Sequence, residues 1–135
     1  MNEEKKIEIV KEFLNRYGEQ KIKTEWQNKK LNGLSMLLLG SENADETVDD
    51  KTKLYAGWEA AEKKYVTETV KLCQLYTEIT DALDMIDTQE ERDILYGKYI
   101  ELHTLDEVAN LMLQHPKTVS RKHKTALLQL YDIIR

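Results

Sequence analysis

Thr104-Leu105-Asp106-Glu107-Val108-Ala109-Asn110-Leu111-Met112-Leu113-Gln114-His115-Pro116-Lys117-Thr118-Val119-Ser120-Arg121-Lys122-His123-Lys124 is the stretch on which the fold turns. It reads as two helices whose starts are both marked. Thr104 with Glu107 three residues later is a capping box, in which each side chain satisfies the other residue's backbone N–H. It opens a short helix with Leu105, Val108, Ala109 and Met112 on its inward face. His115-Pro116 opens a second helix, with His115 as its cap and Pro116 at the first helical position, where a missing N–H costs nothing. That helix runs to about Ile134 and turns Val119, His123 or Ala126, Leu127, Leu130 and Ile133 inward.

A short helix, a turn of about three or four residues and a basic helix make a helix-turn-helix layout over 104–131. The close crossing needs a small residue in the first helix, which is Ala109. Within 115–125, Lys117, Arg121, Lys122 and Lys124 stand with no acid among them. Lys117, Ser120, Arg121 and Lys124 are expected to meet double-stranded DNA, with Thr118 and Lys122 as phosphate contacts. Arginine pairs with the acceptors of guanine, while Lys, Ser and Thr suit phosphates and mixed contacts. The net charge of −5 does not oppose this, because salt screens charges beyond about 8–10 Å and phosphate attraction is local.

Upstream, Thr88 with Glu91 is another capping box and opens a helix through about Ile100, with Ile94, Leu95, Tyr99 and Tyr96 inward. From about 51 to 86, Leu54, Trp58, Ala61, Tyr65, Leu72, Tyr76, Ile79, Leu83 and Ile86 recur at heptad-like intervals, with Glu59, Lys63, Lys64, Glu68, Lys71 and Glu78 off the seam. Cys73 falls within this pattern and is expected to be a buried thiol. The first segment is also helical, from Ile7, Val10, Leu14 and Tyr17, while Asn32-Gly33 leaves open whether 2–39 is one helix or two. Residues 40–52 read as the connecting loop. Asn43, Asp45, Thr47 and Asp49 alternate as in a calcium loop, but Val48 and Leu54 stand where that loop needs a glycine and a bidentate acid.

The expected architecture is therefore all-α: a long N-terminal helical hairpin over 1–86 and a C-terminal trihelical helix-turn-helix unit over 87–135. The apolar stripe on 51–86 is covered either by the N-terminal helix or by a second copy in a homodimer.

The residues Glu90–Glu101, Thr104–Ala109, Lys117–Arg121 and Ala126-Leu127-Leu128-Gln129-Leu130 resemble region 4 of sigma-70-type RNA polymerase factors. With the small size and the N-terminal hairpin, the chain is similar to phage- and prophage-encoded transcription regulators of the ArpU/RinA type. The resemblance covers about 88–131 and implies promoter-proximal DNA binding at Lys117, Ser120, Arg121 and Lys124, with RNA polymerase as a further partner. Three positions depart from the family. Leu113 and Leu102 stand where glycine is common, which requires left-handed backbone at a non-glycine residue. Polar Gln114 also stands where an apolar residue is usual.

Other classes find little support. His103, His115, His123 and Cys73 lack metal-ligand spacing, and no glycine-rich phosphate loop occurs. Glu90-Glu91 and Asp49-Asp50 sit at helix starts, where the dipole favours acids. No enzyme and no cofactor is expected. A single cysteine and the lack of an apolar leader point to the cytoplasm, and no apolar run is long enough to span a membrane. The competing readings are a module that binds RNA polymerase or another factor without reading DNA, and a structural helical protein.

Overall fold

The computed structural model describes residues 1–41 and 47–135. Its described residues form five α-helices and no strand: α1 (Glu3–Ser41), α2 (Val48–Leu83), α3 (Gln89–Tyr99), α4 (Leu105–Leu111) and α5 (Pro116–Ile134). Asn32-Gly33 does not interrupt α1. Gly33 has open space around it and a helical backbone, so it weakens the helix without ending it. The helices extend into the expected loop at both ends. Asn43 and Asp45 lie outside the described residues, and Thr47 instead begins α2, its Oγ1 accepting from the Asp50 N–H at 3.2 Å.

The chain divides into two compact units, 1–19 with 74–135 and 20–73. The expected boundary at 86/87 is therefore displaced. The reason lies in the core of the first unit. Val10 and Leu14 of α1, Ile79 and Leu83 of α2, and Ile86 bury in one cluster with Leu95, Tyr99, Ile100, Ala126, Leu127 and Leu130. The trihelical part has apolar residues on more faces than its own three helices can cover. A smaller cluster, Ile94, Val108, Ala109 and Val119, with Leu105 and Met112 against it, closes the helix-turn-helix itself. The two ends of the long helices cover the rest. Arg16 pairs with Glu78 at 3.0 Å, and the rings of Tyr17 and Tyr76 lie 6.0 Å apart at the same end.

The unit 20–73 is an antiparallel helix pair, since Ser35 meets Trp58 while Gln20 and Thr24 meet Glu68. The N-terminal helix thus covers the α2 stripe here, as the hairpin expectation had it. Its fully buried positions, however, are mostly polar. Gln20, Thr24, Gln27 and Ser41 are buried, beside Ala61. Gln20 Nε2 donates to Glu68 Oε2 at 2.5 Å and lies 3.2 Å from the Glu68 carbonyl, to which Thr24 Oγ1 also donates at 3.2 Å. Glu68 therefore belongs to the seam and not outside it. Its side chain is 14 % exposed, and it fills the step between Tyr65 and Leu72 that the apolar reading leaves empty. The Gln20 amide, then Lys71, hold its carboxyl below the usual range. Cys73 is exposed, contrary to expectation, because it lies one residue past Leu72 and so about 100° round the helix from the seam.

Candidate nucleic-acid interface

The helix-turn-helix is built as its punctuation requires. Thr104 Oγ1 accepts from the Glu107 N–H at 3.1 Å and Glu107 Oε1 accepts from the Thr104 N–H at 3.2 Å, completing the reciprocal box at α4. This holds the Glu107 carboxyl below its ordinary range. Thr88 caps α3 through the Glu91 N–H, but Glu91 does not return the bond to the Thr88 N–H, so the expected box there is only half formed. His115 Nδ1 caps α5 through the Lys117 N–H at 3.1 Å. Between α4 and α5 the chain reverses through Leu113 at φ 55°, with the Gln114 N–H reaching back to the Ala109 carbonyl at 2.9 Å and the Leu113 N–H to that of Asn110 at 3.2 Å. That is a Schellman turn with leucine in the left-handed position usually given to glycine. Leu102, after α3, is left-handed as well, at φ 62°. Both departures therefore keep the turn and accept the strain, about 1–2 kcal/mol per residue.

Two close approaches seat α4. Ala109 is buried against Ile94 and Val119, as expected of the small residue. The second was not read from the sequence: a side chain on Gly97 of α3 would meet Val108 Cγ2 at 3.2 Å, so glycine there lets α4 lie close. A glycine inside an otherwise helical pattern is the one mark that points to it.

Gln114 has a role in place of the usual apolar residue. Its amide donates to Glu90 Oε1, the same oxygen that accepts from Lys122 Nζ at 2.6 Å. The three side chains tie the start of α3, the turn and α5 together. Lys122, then Gln114, pull the Glu90 carboxyl below its ordinary range. Of the expected site residues, Lys122 is thus half-buried and ion-paired, and Thr118 beside it is also half-buried.

Lys117, Ser120, Arg121 and Lys124 are exposed and, at spacings of three and four, share one face of α5. Together with Ile7 and Lys11 of α1, and with His123 and Leu127, they line a groove along α5. Among the described residues the ammonium of Lys117 and the guanidinium of Arg121 make no ion pair, while Lys124 meets Glu3 at 3.4 Å at the surface. Among the described residues no carboxylate lines the groove itself, although Glu3 reaches the Lys124 ammonium from outside it. His123 forms part of its floor. Its Nε2 lies 2.9 Å from the Tyr99 hydroxyl and its ring lies nearly parallel to that of Tyr99. Burial, then Lys11 and Lys98, lower its pKa to about 4, and burial raises that of Tyr99 to about 12. The phenol therefore keeps its proton, and it shares one hydrogen bond with a neutral imidazole. His123 is a structural group at neutral pH, not a cation for a phosphate.

Among the described residues no three His, Cys, Asp or Glu side chains converge in a metal-binding group, and no helix is long and apolar enough to cross a membrane. Comparison with protein-family models, with curated proteins and with solved structures finds no match.

Proposed function

We propose that this chain is a transcription regulator that reads double-stranded DNA with α5. The observation that carries the reading is the exposed face of Lys117, Ser120, Arg121 and Lys124, without a carboxylate between them, on a helix that follows a capped α4 and a tight turn. Arg121 and Ser120 are the base-reading side chains. Lys117 and Lys124 hold phosphates, with Lys124 exchanging Glu3 for DNA. Such an exposed pair is worth about 1 kcal/mol or less and does not compete seriously with a phosphate. Thr118 and Lys122 have a smaller part, since Lys122 is already engaged by Glu90. Being acidic overall, the protein is expected to bind random DNA weakly and to depend on its site for affinity.

A second reading has one observation of its own. Leu111 and Leu113 are 68 % and 93 % exposed at the turn between α4 and α5, where apolar side chains suit a protein partner better than water. On that reading the same unit docks on RNA polymerase or another factor. Selection from random duplex DNA at about 100 mM salt, where phosphate contacts alone bind poorly, separates the two. The DNA reading expects an enriched site that the Arg121→Ala/Lys124→Ala double variant no longer selects. No enrichment with the unaltered protein favours the protein-docking reading.

A further inference from the structure

Lys11 has no part in the recognition helix, and nothing in its surroundings explains it as a packing residue. It lies on α1 one position beyond buried Val10, is exposed, and lines the groove from the side opposite Lys117 and Arg121. Among the described residues it makes no ion pair, although Glu8 and Glu12 are near it in sequence. Its ammonium is close enough to oppose charging of His123. The groove therefore gathers cations from two helices distant in sequence. Val10 and Leu14 of α1 bury in the same apolar cluster as Ala126, Leu127 and Leu130 of α5, which keeps the two helices near each other. A polyanion following the exposed face of α5 passes within reach of both walls.

We infer that α1 is a second element of the DNA interface, in which Lys11 holds a backbone phosphate of the strand that borders α5. The inference rests on the proposed reading of α5, and adds to it that the N-terminal helix takes part directly in binding. Lys11 contributes to affinity for any duplex and not to the choice of sequence, because a phosphate carries no base information.

The test titrates the full-length protein with a random-sequence duplex and with the selected site, between about 50 and 200 mM salt. Lys11→Gln is expected to weaken both complexes by a similar factor. Losing one phosphate contact makes the dependence of log affinity on log salt shallower by about 0.9, so the advantage of the unaltered protein shrinks about threefold over that range. Lys11→Arg should retain the original slope. If Lys11→Gln leaves affinity and slope unchanged while Arg121→Ala still weakens binding, the α1 contact is refuted and the reading of α5 stands. If the unaltered protein binds neither duplex even at the lowest salt, both fall.

Discussion

Residues 1–19 with 74–135 bury Val10, Leu14, Ile79, Ile94, Leu95 and Leu127 almost completely, whereas residues 20–73 bury Gln20, Thr24, Gln27 and Ser41 beside Ala61. Both units draw on the same two long helices, so helix propensity does not account for the difference. Apolar burial contributes roughly 25 cal/mol per Å², while a buried hydrogen bond contributes a net of about 1 kcal/mol and an unmade one costs more. The first unit is thus held by area. The second combines half-buried apolar side chains such as Leu31, Leu34, Leu54 and Trp58 with fully buried polar groups that must match donors to acceptors, and one acceptor, Gln27 Oε1, is buried with no partner among the described residues. Such polar matching favours one alignment of the two helices, since slipping it would strand Glu68 and Gln20, but it adds little stability. The unit carrying the candidate interface is the firm one.

The largest effect expected from this contrast is in the first unit. Leu127→Ala removes a side chain of α5 that is 1 % exposed in the cluster shared with α1. It should lower unfolding stability by about 2–5 kcal/mol in denaturant titration. A loss under 1 kcal/mol would mean the cluster is loosely packed and the contrast is false.

Acid acts on the same unit through His123. Its pKa is about 4 folded against 6.5 unfolded. Between those values the unfolded chain binds a proton that the folded chain refuses. Stability is therefore full above pH 6.5, falls as the pH drops, and is lower by about 3 kcal/mol once pH 4 is reached. His123→Gln should remove that part of the pH dependence. An unchanged profile would show that the Tyr99–His123 pair is not where acid acts.

In the second unit, the expected change has the opposite sign. Gln27→Leu replaces an unpartnered buried oxygen with apolar surface and should raise the stability of 20–73 by about 1 kcal/mol, seen as slower amide exchange across those residues. Faster exchange would mean that Gln27 has a partner in solution and that the seam is better satisfied than it looks.

The smallest effect concerns helix propensity alone. Gly33→Ala, at a helical position with open space around it, should stabilise α1 by somewhat under about 1 kcal/mol. Destabilisation would indicate that something approaches Gly33 closely in solution.

Local chemistry made the C-terminal end of the chain legible in advance. Capping at Thr88, Thr104 and His115 needs only residues three or fewer apart, and each cap is present in the fold. The left-handed turns at Leu102 and Leu113 were foreshadowed only by the family resemblance, which has glycine common at those two positions. The exposed face of Lys117, Ser120, Arg121 and Lys124 follows from spacing around one helix. The extent of the loop was overestimated, because the acids of 49–50 favour a helix start as readily as a connector.

What depended on long-range packing was not legible. Lys11 lining one groove with Arg121, Glu90 holding both Gln114 and Lys122, and Gly97 under Val108 each join residues that no periodicity relates. Glu68 was misplaced for the same reason. A charged residue at a seam position looks like an interruption until its partner, Gln20, forty-eight residues away, is seen to satisfy it. By itself the sequence determined where helices begin, which faces are apolar and where basic side chains cluster, since caps and 3.6-residue periodicity act within a few turns. Only the tertiary structure decided which faces meet, because burial is a property of pairs of surfaces. It placed the chain's division inside the long helices, put polar groups at the fully buried positions of 20–73, and brought Val10 and Leu14 of α1 into one core with α5.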